Sequence, residues 1–194
     1  MKQAPTQRRK TGLAHEVRIV GGSLKRSKLP VADRPGLRPT PDRVRETLFN
    51  WLGQDLAGWR VLDAFAGSGA LGFEAASRGA ADVVLLERDA ALVRSLKESR
   101  DRLKATAVRA EVADALAWMA RCEPARFDLV LLDPPFDGAL AAPALAAAAR
   151  LVPPGGFVYL EAPAALPDAP AGFELHRSAR AGAVHFHLLR RLPG

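Results

Sequence analysis

The four residues Asp133-Pro134-Pro135-Phe136 follow directly on the largely apolar run from Phe127 to Leu132, so a buried strand is expected to end on a stiff tip. Each proline fixes its own φ and lacks an N–H, and the residue before a proline is pushed out of the helical region, which holds Asp133 and Pro134 extended. One carboxylate, the backbone carbonyls beside it and one aromatic face are thereby presented at the carboxyl edge of a sheet, where open α/β folds bind ligands. Such a tip suits a flat ligand that carries N–H donors.

A second stretch with chemical potential is Asp63-Ala64-Phe65-Ala66-Gly67-Ser68-Gly69-Ala70-Leu71-Gly72, placed where a strand hands over to a helix. Its G-x-G-x-x-G pattern lets the backbone turn tightly and approach a ligand, and Glu87 follows at the end of the next strand, where an acid accepts hydrogen bonds from two ribose hydroxyls. Spacing alone is equally compatible with NAD, and a merely structural turn is also open. Asp63 weighs against a dinucleotide: a carboxylate there repels a pyrophosphate but suits the ammonium or sulfonium end of S-adenosylmethionine. Asp114 is placed either to accept from an adenine amino group or to cap the helix that begins at Ala115.

The elements that must position these residues alternate. Strands are predicted over Arg60–Ala64, Val83–Glu87, Val108–Glu111, Phe127–Leu132 and Phe157–Glu161, with helices at about 70–78, 89–104, 113–121 and 139–151. That rhythm predicts an α/β, doubly wound, mainly parallel sheet. Phe173–Arg177 and Val184–Leu189 read as an antiparallel hairpin closing one edge. Ahead of the sheet, Thr40 is expected as N-cap and Pro41 as first residue of a helix whose apolar stripe is Val44, Leu48, Trp51 and Leu52, leaving Arg43 and Arg45 toward solvent.

Charge is segregated. Residues 1–50 hold twelve Lys/Arg against four acids, a balance of +8, whereas the net charge of the 194 residues is +7. A basic first quarter on a near-neutral body is the footprint of phosphate-backbone contact. Residues 1–15 read as a disordered basic tail, 16–40 as a basic, polyanion-binding hairpin and connector, and 41–194 as the main domain. Val17, Ile19, Leu24 and Leu29 flank Gly21-Gly22 and Lys25-Arg26-Ser27-Lys28, and an isolated hairpin of this size must lean on the domain or on a ligand. The cations expected to grip phosphates, those of RNA if the resemblance below holds, are Arg18, Lys25, Arg26, Lys28, Arg34, Arg38 and Arg43. No apolar run is long enough to span a membrane and no secretory signal opens the chain, so a cytoplasmic location is expected. The single Cys122 excludes an internal disulfide framework, and His176, His185 and His187 read as structural, with no metal expected.

Taken together, Asp63 to Gly69, Glu87, Asp114 and Asp133-Pro134-Pro135-Phe136 resemble the class I S-adenosylmethionine-dependent methyltransferases that modify exocyclic amino groups. The run from Gly36 to Trp51, with Val20-Gly21-Gly22 upstream, narrows the likeness to the bacterial family that methylates N2 of guanine 966 in 16S ribosomal RNA. The resemblance implies a seven-stranded Rossmann-like sheet with an antiparallel last strand, S-adenosylmethionine as methyl donor, and a small ribosomal subunit or its assembly intermediate as partner. It implies cofactor contacts from Asp63, Phe65, Ala66, Gly67, Ser68, Gly69, Glu87, Arg88 and Asp114. It places the chemistry at Asp133, Pro134, Pro135 and Phe136, with Phe136 stacking on the base; a core plug is the alternative for that ring. The same transfer to adenine N6 or cytosine N4 in DNA or to protein glutamine, an NAD-dependent oxidoreductase, and a non-catalytic RNA-binding assembly factor are the competing readings.

Overall fold

Short apolar strands alternating with amphipathic segments leave one economical solution, a sheet with helices on both faces. The computed structural model describes residues 15–32, 40–135 and 139–194. The strands are β1 (His15–Arg18), β2 (Lys28–Val31), β3 (Arg60–Asp63), β4 (Asp82–Glu87), β5 (Val108–Val112), β6 (Leu129–Leu132), β7 (Phe157–Ala162), β8 (Phe173–Ala181) and β9 (Val184–Arg191). The helices are α1 (Asp42–Trp51), α2 (Ala70–Ser77), α3 (Ala90–Leu103), α4 (Ala115–Arg121) and α5 (Ala141–Ala149).

Among the described residues seven strands form one sheet in the order β5-β4-β3-β6-β7-β9-β8, and β1 and β2 form a separate two-stranded sheet. β3 runs parallel to β4 and β6, β4 to β5 and β6 to β7, whereas β9 is antiparallel to β7 and to β8. The seven-stranded, mainly parallel sheet expected from the sequence is the observed one. Chain order reverses between β3 and β6, the crevice where open α/β sheets bind ligands.

Successive strand residues feed opposite faces. Val61, Val83, Leu85, Leu129 and Leu131 join the core beneath α1, α2 and α3, while Leu62, Val84, Leu86, Val130 and Leu132 join the core beneath α4 and α5. Burial on both faces explains why β6 reads as an unbroken apolar run.

The β1–β2 hairpin leans on the main sheet's helical layer. Val17, Ile19, Leu29 and Val31 are buried in the α1–α3 core, each fully buried aliphatic side chain being worth about 1.5–3 kcal/mol. Polar bonds add to this: the Val20 and Gly21 N–H groups donate to the Glu74 carboxylate at 2.9 and 2.7 Å, and the Leu24 N–H donates to Ser77 Oγ at 2.8 Å.

Two expectations at α1 are corrected. Pro41, not Thr40, occupies the N-cap, and no side chain caps the helix. The Thr40 hydroxyl turns inward between the Asp133 and Glu161 carboxyls, stronger partners than an exposed helix end. Arg45 is not on the solvent side; it is wholly buried, with Val44, Leu48 and Phe49. Its guanidinium donates to Glu74 at 3.1 Å, to Asp42 at 2.5 Å, and to the Arg18 and Thr40 carbonyls at 2.8 and 3.2 Å. A buried charge needs such a full set of partners. Trp51 is half-buried and stacks on Phe186 at 5.3 Å.

Candidate active site

Acids stand at the carboxyl ends of neighbouring strands: Asp63 on β3, Glu87 on β4, Asp133 just beyond β6 and Glu161 on β7. Register aligns them. Asp63 pairs with Leu131, and Leu132 pairs with Leu160, which sets Asp133 level with Glu161.

Asp63 is buried and its Oδ2 accepts the Gly72 N–H at 3.0 Å, tying β3 to the first turn of α2. A Cβ at Gly72 would sit 2.1 Å from Leu85 Cδ2 and 3.2 Å from Asp63 Oδ2, so only glycine allows this approach. Asp63 Oδ1 is buried and has no partner. Burial drives the Asp63 pKa up to about 7, the Gly72 and Phe65 N–H groups pull against that, and the charges of Glu87 and Glu161 add to it. A buried, half-neutralised carboxylate with an unsatisfied oxygen fits a cationic ligand.

The loop between β3 and α2 is held by the Ala66 N–H on the Leu86 carbonyl at 2.9 Å and by Gly69, whose φ of +79° closes the turn. Glu87 Oε2 accepts the Gly67 N–H at 3.2 Å and Oε1 accepts the Asp89 N–H at 2.9 Å, so the acid at the end of β4 abuts the glycine loop. Phe65 and Ser68 are half-buried beside it, and Arg88 is exposed. Asp114 is exposed and caps α4, its Oδ1 accepting the Ala117 N–H at 2.8 Å, which is the helix-cap alternative of the sequence reading. Asp63, Glu87 and the backbone of 65–69 fit S-adenosylmethionine: an acid for its cationic end, an acid for its ribose, and a glycine turn that admits it.

Asp133 is half-buried, Pro134 buried and Pro135 exposed; Phe136 lies outside the described residues. The Thr40 hydroxyl lies 3.3 Å from Asp133 Oδ2 and 3.1 Å from Glu161 Oε1, and the Tyr159 hydroxyl donates to the same Glu161 Oε1 at 2.9 Å. Burial, then Glu161 and Asp63, hold Asp133 well above the usual carboxylate range, against the pull of the Thr40 hydroxyl. Burial likewise raises Glu161, opposed by its bonds from Tyr159 and Thr40. Sequence reasoning missed Thr40, Tyr159 and Glu161. A lone acid closing the apolar strand Phe157–Ala162 was the available signal.

On the hairpin, Arg18, Lys25, Arg26 and Lys28 are exposed, as is Arg43 at the start of α1. Arg18 pairs with Asp42 at 3.4 Å and Lys28 with Glu16 at 2.7 Å. Arg34, Arg38 and residues 1–14 lie outside the described residues. His187 Nε2 accepts the Leu166 N–H at 3.3 Å. Among the described residues no helix is long and apolar enough to cross a membrane, and no group of three His, Cys, Asp or Glu could hold a metal.

With that geometry in hand, residues 17–190 match the model of the family described as "Conserved hypothetical protein 95". The chain belongs to that family. It is similar to the Ribosomal RNA small subunit methyltransferase D of Escherichia coli (strain K12), 41% identical over 184 residues covering 91% of this chain and 90% of that protein. The protein of the same name from Haemophilus influenzae is 40% identical over 179 residues, covering 89% and 93% of the two chains. Among solved structures, a putative methyltransferase, yhhF, from Escherichia coli superposes with a TM-score of 0.82 at 39% identity, over 93% of this chain and all of that one. The Thermus thermophilus 16S rRNA N2 G1207 methyltransferase, in complex with AdoMet and guanosine, gives a TM-score of 0.64 at 26% identity, over 93% of this chain and 50% of its own. The fold is thus that of a class I methyltransferase family.

Proposed function

We infer that the chain transfers a methyl group from S-adenosylmethionine to N2 of guanine 966 in 16S ribosomal RNA, acting in the cytoplasm on the small subunit or its assembly intermediate. One observation carries the chemistry: Asp133 stands at the end of β6, beside β3, whose terminal acid Asp63 has an unsatisfied buried oxygen. The small-subunit ribosomal RNA substrate is supported by the names of similar proteins, and the target position by the family resemblance of Val20-Gly21-Gly22 and the run from Gly36 to Trp51.

The cofactor supplies an electrophilic methyl group on a sulfonium. Asp63 takes the cationic end, Glu87 the ribose hydroxyls, the backbone of Phe65 to Gly69 lines the turn, and Arg88 and Asp114 flank the adenine. The exocyclic nitrogen of guanine is a weak nucleophile because its lone pair is delocalised into the ring. Asp133 and the Pro134 carbonyl each accept one of its N–H groups, which turns the nitrogen toward sp³ geometry and aims the lone pair. Pro135 keeps the tip extended, and Phe136 stacks on the base, worth about 1–3 kcal/mol against the few kcal/mol that unstacking costs. Orientation by fixed acceptors is the main source of rate. Arg18, Lys25, Arg26, Lys28 and Arg43, with Arg34 and Arg38, hold phosphates around the pocket and position without reading sequence.

Small subunits lacking the modification, incubated with the protein and labelled donor and then mapped by mass, should gain one methyl group, on N2 of guanine 966. Label found only on DNA or protein would overturn the assignment.

A further inference from the structure

Tyr159, Glu161, Thr40 and Asp133 form a continuous line of oxygens that the methyl-transfer geometry above does not explain. Glu161 Oε1 receives the Tyr159 hydroxyl at 2.9 Å and lies 3.1 Å from Thr40 Oγ1, which in turn lies 3.3 Å from Asp133 Oδ2. A threonine hydroxyl has one proton to donate. With that proton on Glu161, Asp133 Oδ2 is satisfied when Asp133 is itself protonated and donates to Thr40 Oγ1. Reversing the sense of both bonds moves the proton to Glu161 with no heavy atom displaced.

The surroundings favour a single shared proton. Asp63 on β3 adds negative charge from one side, Tyr159 on β7 offers only a neutral hydroxyl, and β9 sets Phe186 opposite Glu161, with His185 and His187 opposite Ala162 and Leu160. Arg45, which holds the Thr40 carbonyl, spends its guanidinium on Glu74, Asp42 and Arg18. Among the described residues no Lys, Arg or His pairs with Asp133 or Glu161. Two carboxyls bridged by one hydroxyl, with no cation paired to either among the described residues, do not both ionise, and they titrate as a unit.

We propose that Asp133, Thr40 and Glu161 form a proton-holding relay that gives up one proton when the sulfonium of S-adenosylmethionine enters and takes one back from guanine N2 during transfer. This rests on the function proposed above. As the N2–carbon bond forms, the carbon–sulfur pair goes to sulfur and the N2–H pair returns to nitrogen. The proton passes to Asp133, from Asp133 Oδ2 to Thr40 Oγ1, and the Thr40 proton moves to Glu161 Oε1. The unit ends with one proton, as it began, and the cofactor leaves uncharged at sulfur. Asp133 touches the base; Thr40 and Glu161 are positioning residues that set its charge.

Calorimetry of cofactor binding without RNA, at pH 8 in buffers of different ionisation enthalpy, tests this apart from catalysis. Wild type should release protons on binding S-adenosylmethionine and markedly fewer on binding the demethylated product. Glu161→Gln should lose that release, because Asp133 is then ionised beforehand. Thr40→Val should keep the release yet lose about 10²-fold in turnover, with Thr40→Ser restoring it. Equal release with both ligands, or undiminished release from Glu161→Gln, overturns the relay and leaves the methyltransferase reading intact. Normal release with methylation of another base overturns the assigned target and leaves the relay standing.

Discussion

Arg45 Nη1 lies 3.1 Å from Glu74 Oε2 with both side chains wholly out of solvent; the pair joins α1 to α2, and each member also bonds the backbone of the hairpin segment. The same carboxylate receives the Val20 and Gly21 N–H groups and the Arg78 guanidinium at 2.9 Å. Removing it strands two buried cations and two N–H groups. Glu74→Ala is therefore expected to cost about 3–5 kcal/mol, or about 6–20 °C in Tm. Thermal unfolding followed by circular dichroism measures this, and a drop under about 2 °C would show that the network holds nothing.

Asp133 and Glu87 should separate chemistry from binding. Asp133→Ala removes an acceptor aimed at the reacting amino group and should lower turnover by about 10²-fold or more while leaving cofactor affinity within a few-fold. Glu87→Ala should do the reverse, weakening S-adenosylmethionine binding first. Single-turnover methylation beside calorimetric titration of each variant distinguishes the two, and full turnover by Asp133→Ala would falsify the proposed positioning.

Asp63 gives stability a pH dependence. Its carboxyl is raised from 3.8 to about 7 in the folded protein, so the folded state holds the proton more tightly than the unfolded chain. Stability from this group is full below 3.8 and is lost as pH climbs to about 7, by roughly 4 kcal/mol. Asp63→Asn should flatten the decline in Tm between pH 5 and 8 without abolishing it, since Asp133 and Glu161 are raised in the same sense. An unchanged slope would refute the assignment.

Lys25 and Arg26 are exposed at the tip of the hairpin. Reversing both charges should weaken RNA binding evenly across sequences and reduce the salt slope of log K by about 1.4–1.8. Filter binding over a salt series reads that slope. A loss confined to one RNA sequence would point to base reading instead of phosphate contact.

Asp63, Glu87 and Asp133 were legible because each ends a short apolar strand whose period declares it, and because glycines and prolines punctuate the turns that follow. Arg45 was not, because its burial depends on Glu74, and a one-dimensional pattern assigns a cation beside Val44 to solvent. The sign was there in another place: Glu74 lies within Ala70–Ser77, an otherwise apolar helix with no local cation before Arg78. Glu161 repeats the lesson, an acid in a strand with no polar face. Thr40 looked like a cap because hydroxyls before prolines usually are, and only the tertiary arrival of β6 and β7 gives it better acceptors.

The pairing of β3 with β6 dictates an order of assembly. During synthesis β3, β4 and β5 emerge first, and the inner edge of β3 stays bare until Leu129 to Leu131 leave the ribosome to meet Val61 to Asp63. An open, apolar parallel edge is sticky, so the nascent chain passes through an aggregation-exposed stage in which docking of the segment carrying Asp133 covers β3 and the later arrival of β7 covers β6. The β3–β6 seam, which bears Asp133, is the one on which the β6–β7 and β7–β9 seams then build, so a chain that stalls before it closes is both vulnerable and without its strand-end acids in register.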